Sequence, residues 1–334
     1  MAPGHTIPMV DMARLLALRG VRVTFVTTTR NATRYGSILR RAAESDGLPI
    51  HIQEFAFLSE DVGLPGGCES LDAVSHPALL PRFFDAIAKM QVPVEGYLQE
   101  QRDLHPPTCI ISDKYLAWTS DTARKFRIPR IVFHGTGCFS LLSSRCIRRH
   151  QASLSAIPDN EPFPVPGLPP GIGDIRVSKD QLPGELVSAQ QAILDDTYRR
   201  LITEAESDAY GVVVNSFESL ERGCAEAYRA SLHGTRVWCV GPVSQCVERG
   251  EDKFERGHDR AAISESRCVS WLDTQKPGSV IYACLGSLCR LVPSQLMELG
   301  LGLETSGRPF MWVVKTSDHY LPEMEAWLAR DGFE

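Results

Sequence analysis

At 334 residues, with 43% hydrophobic and 23% charged residues, the chain can bury more than one core and has an ordinary globular composition. A formal net charge of −6 argues against a general nucleic-acid or anionic-membrane surface and leaves a small-molecule partner open. Ten cysteines form no CxxC pair, and several, such as Cys109 and Cys284, sit in apolar runs; they read as buried free thiols of a reducing, cytoplasmic compartment.

The opening MAPGHTIPMVDMARLLALRG lacks the basic-then-apolar pattern of a signal peptide, and no run approaches the ~20 apolar residues of a membrane span. The sequon Asn31-Ala32-Thr33 is read as a chance match. The first helix is expected over 7–19, with Ile7, Val10, Ala13 and Ala17 on one stripe and Gly20 ending it. Short apolar, β-branched runs predict strands at 21–28, 50–57, 108–112, 130–133, 211–216, 236–241, 279–287 and 310–315. Helical patterns lie between them, at 32–45, 78–102 (with a break near Pro93), 117–126, 185–207, 217–229 and 294–306. This alternation predicts an α/β fold with parallel sheets covered by helices on both sides.

Two stretches interrupt the rhythm. Residues 157–173 are proline-rich and fit neither a regular helix nor a central strand. Residues 244–266 are charged and poor in apolar residues, as expected of a linker between domains. There is no Walker A pattern, no G-x-S-x-G elbow and no G-x-G-x-x-G after a strand. P-loop NTPases, α/β-hydrolases and nicotinamide dehydrogenases lose their main support. No paired-acid metal site is evident, so no metal is expected.

An ordered set of segments carries a resemblance. MAPGHTIPMVDMARLLALRGVRVTFVTTTRNA, CIISDKYLAWTSDTARKFRIPRIVFHGTGCFSLL, VVVNSFESLE, VWCVGPV and CVSWLDTQKPGSVIYACLGSLCRLVPSQLMELGLGLETSGRPFMWVVK run over nearly the whole chain. Together they resemble the plant family 1 UDP-dependent glycosyltransferases, most closely the subgroup acting on terpenoids, flavonoids and other phenolics. The resemblance implies the GT-B fold, two facing Rossmann-like domains with parallel sheets, the second incomplete here. An acceptor-binding domain is then expected over 1–243, a linker over 244–266 and the first part of a UDP-sugar-binding domain over 267–334.

The same resemblance implies roles for particular residues. His5, in Gly4-His5-x-x-Pro8, matches the catalytic base; imidazole suits that work because its ordinary pKa of ~6.5 lies near the operating pH. A lone histidine is more often structural, and it is the Gly-His-x-x-Pro context, placed at a turn before the first helix, that favours catalysis. Asp113 follows the strand CIIS and so lies at the ligand edge of the sheet. It matches the carboxylate that holds the base, and it is equally suited to cap the segment starting near Tyr115. Asp121 is a weaker candidate, expected to face outward. Thr136 matches a hydroxyl that approaches the donor sugar, though a turn between Gly135 and Gly137 explains it as well. Gly286 and Ser287, at the end of the strand in SVIYACLGS, match the contact to the donor diphosphate, where glycine permits close backbone approach. Phe83, Phe84, Met90, Tyr97, Phe139 and Leu141 are apolar at core-like spacing and are not assigned to the acceptor.

Two departures are expected to matter: no apolar strand precedes His5, and the family's Trp- and His-containing donor box is not found. Loss of a central strand would leave unpaired backbone and exposed apolar faces. The leading reading is a monomeric transferase that moves a sugar, expected to be glucose, from a UDP-sugar to a hydroxyl of a small lipophilic metabolite, with inversion and no further cofactor. The alternative is an inactive remnant that at most binds a hydrophobic small molecule.

Overall fold

The computed structural model describes residues 1–172, 175–187, 194, 196–246, 263–286, 288–289, 291–314 and 320–331. Helices and strands alternate along the chain. They are α1 (Pro3–Leu18), β1 (Val23–Thr28), α2 (Thr29–Glu44), β2 (Ile50–Phe55), α3 (Leu80–Lys89), α4 (Gln91–Gln101), β3 (Ile110–Asp113), α5 (Trp118–Phe126), β4 (Arg130–His134) and α6 (Cys138–Leu154). There follow β5 (Phe163–Pro164), β6 (Arg176–Val177), α7 (Gly184–Val187), α8 (Asp196–Ser207), β7 (Gly211–Val214), α9 (Cys224–Ser231) and β8 (Arg236–Cys239). After residue 262 come α10 (Glu265–Asp273), β9 (Ile281–Cys284), α11 (Pro293–Thr305), β10 (Phe310–Val313) and α12 (Leu321–Asp331). All eight expected strands form, each shorter than its apolar run except β4, which extends one residue further, to His134.

β3, β4, β7 and β8 make one parallel sheet, in the order β3-β4-β7-β8, and β1 pairs in parallel with β2. Among the described residues no ladder joins β1 to β3. The helix α1 links the two sheets instead. Val10 and Ala13 pack with Tyr35, Ile38 and Leu39 of α2 over β1 and β2, whereas Met12 packs on Phe133 of β4 and Val243. Each large apolar side chain buried in this way is worth roughly 1.5–3 kcal/mol. The position of α1, and of anything on its first turn, is therefore fixed by two cores at once.

Pro3 begins α1 at a position where its missing N–H costs nothing. The expected helix start at residue 7 is thus four residues late, and His5 lies within the first helical turn, not in a turn before it. The break expected near Pro93 falls at Met90, because Pro93 is tolerated only in the first turn of the new helix α4. The helix expected over 185–207 is seen as α7 and α8, with 188–193 and 195 outside the described residues. The linker expected over 244–266 also lies largely outside them. Within the proline-rich stretch only the two-residue strand β5 forms, paired antiparallel to β6.

The helix expected over 217–229 starts only at Cys224, after Gly223 with φ +75°. The reason is the use made of Glu221. Its carboxylate accepts from the backbone N–H groups of Cys138 at 2.8 Å and Phe139 at 3.0 Å, and from the Ser216 hydroxyl, and so caps α6 from a distant loop. An alanine at Glu221 is expected to cost about 1–2 kcal/mol, read as a lower urea midpoint with unchanged slope.

After residue 262, α11 carries Leu296 against Met324 and Trp327 of α12, with Trp312 of β10 beside them. β9 and β10 pair in parallel, giving a βαβ unit with its own small core. Cys68, Cys138, Cys146 and Cys224 are buried free thiols as expected, whereas Cys109 is only half-buried and Cys284 is exposed. No helix among those residues is long and apolar enough to cross a membrane.

Candidate active site

The C-terminal ends of β3 and β4 and the first turn of α1 converge on a cavity of about 240 Å3. His5, Asp113, Lys114, Tyr115, His134 and Thr136 line it, and the backbones of Gly4 and Gly135 close one side. The close approach there depends on Gly135: a Cβ would stand 3.1 Å from the Gly4 carbonyl oxygen and 3.2 Å from the Pro8 ring. Pro8 has no N–H to give to that carbonyl, so the packing occurs where the helix ladder already has a gap.

His5 Nδ1 and Asp113 Oδ2 are 2.6 Å apart. The other carboxylate oxygen of Asp113 accepts from the Tyr115 backbone N–H at 2.8 Å. The two roles considered for Asp113, partner of the histidine and cap of the following turn, therefore hold together. Asp113 is buried, whereas the His5 side chain is 35% exposed. Burial pushes the Asp113 pKa up, but the hydrogen bond and charge of His5, the Tyr115 N–H and the charge of His134 outweigh it. The net value lies below the ordinary carboxylate range. Edge-to-face contact with Tyr115, ring centroids 5.6 Å apart, holds the His5 ring on its other side.

A second histidine–carboxylate pair forms the floor. His134 Nε2 lies 2.6 Å from Glu206 Oε1, and Arg145 donates to Glu206 Oε2 at 3.1 Å. The Tyr228 hydroxyl donates to Glu206 Oε1 at 3.1 Å. These four residues come from β4, α8, α6 and α9. Burial raises the Glu206 pKa, but the His134 hydrogen bond and the charges of His134, Lys114 and Arg145 bring it down to about 2. Beneath Asp113, the buried guanidinium of Arg130 donates to Ser112 Oγ, Thr119 Oγ1 and the Ala205 carbonyl. Burial lowers the Arg130 pKa to about 10, opposed by the charges of Asp113 and Glu206, so it stays cationic at neutral pH.

Of the residues expected from sequence, His5, Asp113 and Thr136 meet at this cavity. Gly286 does not line it; it follows β9 in an exposed position with φ +86°. Ser287 lies outside the described residues. Asp121 faces outward, as expected, in an exposed pair with Arg124. Phe83 and Phe84 are core residues beside Tyr115 and Tyr198. Sequence reasoning missed Lys114, Tyr115, His134 and Glu206. The signal for His134 was the one that found Asp113, a polar residue at the C-terminal end of a parallel strand.

No family model matches the chain. Among curated proteins it is 50% identical over 335 residues to UDP-glycosyltransferase 73D1 of Arabidopsis thaliana, covering 100% of this chain and 64% of that protein. It is 45% identical over 337 residues to UDP-glycosyltransferase 73C4 of the same plant, covering 100% and 65%. The chain therefore spans about two thirds of the length of these relatives. Among solved structures, Glycyrrhiza uralensis UGT73P12 complexed with glycyrrhetinic acid 3-O-monoglucuronide superimposes with a TM-score of 0.81. It is 31% identical, over 99% of this chain and 65% of that one. Arabidopsis thaliana UGT89C1 complexed with UDP-L-rhamnose gives a TM-score of 0.69 at 24% identity, over 95% and 63%, which speaks for the fold alone. Over its whole length the chain is similar in sequence to plant UDP-dependent glycosyltransferases, and it shares their GT-B-type α/β fold.

Proposed function

We propose that the chain transfers a sugar, glucose in the first instance, from a UDP-sugar to a hydroxyl of a small lipophilic plant metabolite, with inversion at the anomeric carbon. The observation that carries this reading is the His5–Asp113 pair at 2.6 Å in the wall of a cavity. With Nδ1 committed to an ionised carboxylate, Nε2 is left as the proton acceptor. The acceptor hydroxyl gives its proton to Nε2 as its oxygen attacks the anomeric carbon. The bond from that carbon to the UDP oxygen breaks, and its electron pair leaves with UDP. Attack opposite the leaving group inverts the centre. Asp113 keeps the ring in the needed tautomer and stabilises the imidazolium, which later releases its proton to water.

In this reading residues 1–243 hold the acceptor, 244–266 connect, and 267–334 belong to the donor side. Thr136 at the cavity supports a contact to the sugar. Gly286 at the end of β9, in open space and with positive φ, supports close approach of a diphosphate, with Ser287 beside it in sequence. The relatives named as UDP-glycosyltransferases support the UDP-sugar as donor. We place the protein in the cytoplasm as a monomer.

Exposed apolar side chains on the donor side, such as Tyr282 and Leu285, favour a second reading in which an acceptor binds and no sugar moves. Calorimetric titration with UDP, followed by mass detection of glucoside from UDP-glucose and a simple phenol, separates the two. Micromolar UDP affinity and product formation are expected. Folded protein that binds the phenol but neither UDP nor UDP-glucose would overturn transfer.

A further inference from the structure

The cavity holds one cation that the catalytic reading does not use. Lys114 lines it directly beside Asp113. Its ammonium lies 4.9 Å from the centre of the Tyr115 ring, a contact that orients it without neutralising it. The two carboxylates near it are already engaged. Asp113 accepts from His5 and the Tyr115 N–H, and Glu206 is held by His134, Arg145 and Tyr228. Among the described residues no carboxylate lies within ion-pair distance of Lys114. Besides Asp113, the rest of the lining carries no anion: His5, Tyr115, His134 and Thr136, with the backbones of Gly4 and Gly135.

From this arrangement we infer that Lys114 is a specificity-determining residue that selects acceptors carrying a carboxylate within reach of the hydroxyl that faces His5. The inference rests on the acceptor-side reading of the cavity. A volume of about 240 Å3 suits one aromatic ring with a short substituent better than a large polycycle held entirely inside. A small phenolic acid would lay its ring along Tyr115, its hydroxyl toward His5 and its carboxylate on the ammonium. A charge-assisted bond at a partly buried site is strong enough to discriminate, and tenfold in affinity corresponds to about 1.4 kcal/mol.

The test is binding, read without turnover. The full chain and the Lys114→Met and Lys114→Arg variants are titrated calorimetrically with 4-hydroxybenzoate, with its methyl ester and with UDP. The expected result is that the wild-type chain binds the acid at least about tenfold more tightly than the ester. Lys114→Met should reduce that ratio below about twofold while Lys114→Arg keeps it, the arginine controlling for misfolding. A ratio near one in the wild-type chain, the same ratio in Lys114→Met, or no binding of the acid at all would overturn the inference. So would a loss of UDP affinity in Lys114→Met equal to the loss for the acid, which would assign the ammonium to the donor phosphates. Failure of the transferase reading shows separately, as absence of glucoside from UDP-glucose and the methyl ester while the binding ratio stands.

Discussion

Replacing His5 with alanine is expected to lower sugar transfer by about 10²- to 10⁴-fold, the usual contribution of a positioned general base. Asp113→Asn should produce a drop of similar size, because a neutral partner neither fixes the tautomer nor stabilises the imidazolium. The double variant should be little worse than either single one, since the two residues act as a unit across one 2.6 Å contact. A structural role for the pair would give additive losses that track thermal stability. Titration of stability adds a signature that activity does not. In the wild-type chain the folded pKa of Asp113 is depressed, so its ionisation stabilises the fold above about pH 4, and that contribution fades as pH falls through the folded value. In His5→Ala the largest opposing influence on the carboxylate is gone and burial remains, so the folded pKa should rise. Protonation then favours the folded state. The stability gap between wild type and His5→Ala should therefore be widest near neutrality and narrow below about pH 4. A gap independent of pH would show that His5 and Asp113 do not share a proton-dependent interaction.

The parts of this site that were legible in the sequence are those with a local signature. Asp113 could be placed because CIIS reads as a buried strand and a carboxylate just past such a strand faces the ligand edge. His134 obeys the same rule, yet the apolar run RIVF seemed to end at Phe133, one residue short of the strand's true end. His5 was found through Gly4-His5-x-x-Pro8, but its helix was started too late because the favourable Pro3 at the helix N-terminus was not weighed. Glu206 had no signature at all. It sits 72 residues from His134 in a helical pattern that resembles any solvated face, and only the packing of α8 under β4 turns it inward. Glu221 misled in the opposite direction: its segment has helical composition, but its carboxylate is needed at the α6 N-terminus, and tertiary demand prevailed over local propensity. Lys114 has no pattern around it that would single it out. Periodicity thus located the elements, and the strand-end rule located Asp113. The partners that tune it came from sequence-distant helices.

Those partners carry the second large expectation. Glu206→Gln should destabilise the protein by about 3 kcal/mol at pH 7, since the buried carboxyl is held at about 2, well below its ordinary value of 4.5. The change is nearly isosteric, so the loss is electrostatic: Arg145 and His134 lose the anion that holds them together. The sign with pH follows from the depressed value. The contribution is fully present above about pH 4.5 and disappears as pH falls toward 2, where the wild-type carboxyl also becomes neutral. Urea unfolding across that window should show the two proteins differing by about 3 kcal/mol near neutrality and converging in acid, with similar slopes. Parallel curves at every pH would mean that the glutamate is structural only through shape. The effect should also reach the reaction. His134 ends β4, and the next two residues are Gly135, packed on the first turn of α1, and Thr136 in the cavity wall. Releasing His134 loosens the strand end against which α1 is seated. The distance between His5 and Asp113 is then no longer held from both sides, so kcat should fall in Glu206→Gln although the residue touches no substrate. A variant that lost stability but kept full kcat at a temperature where it is folded would confine Glu206 to the core.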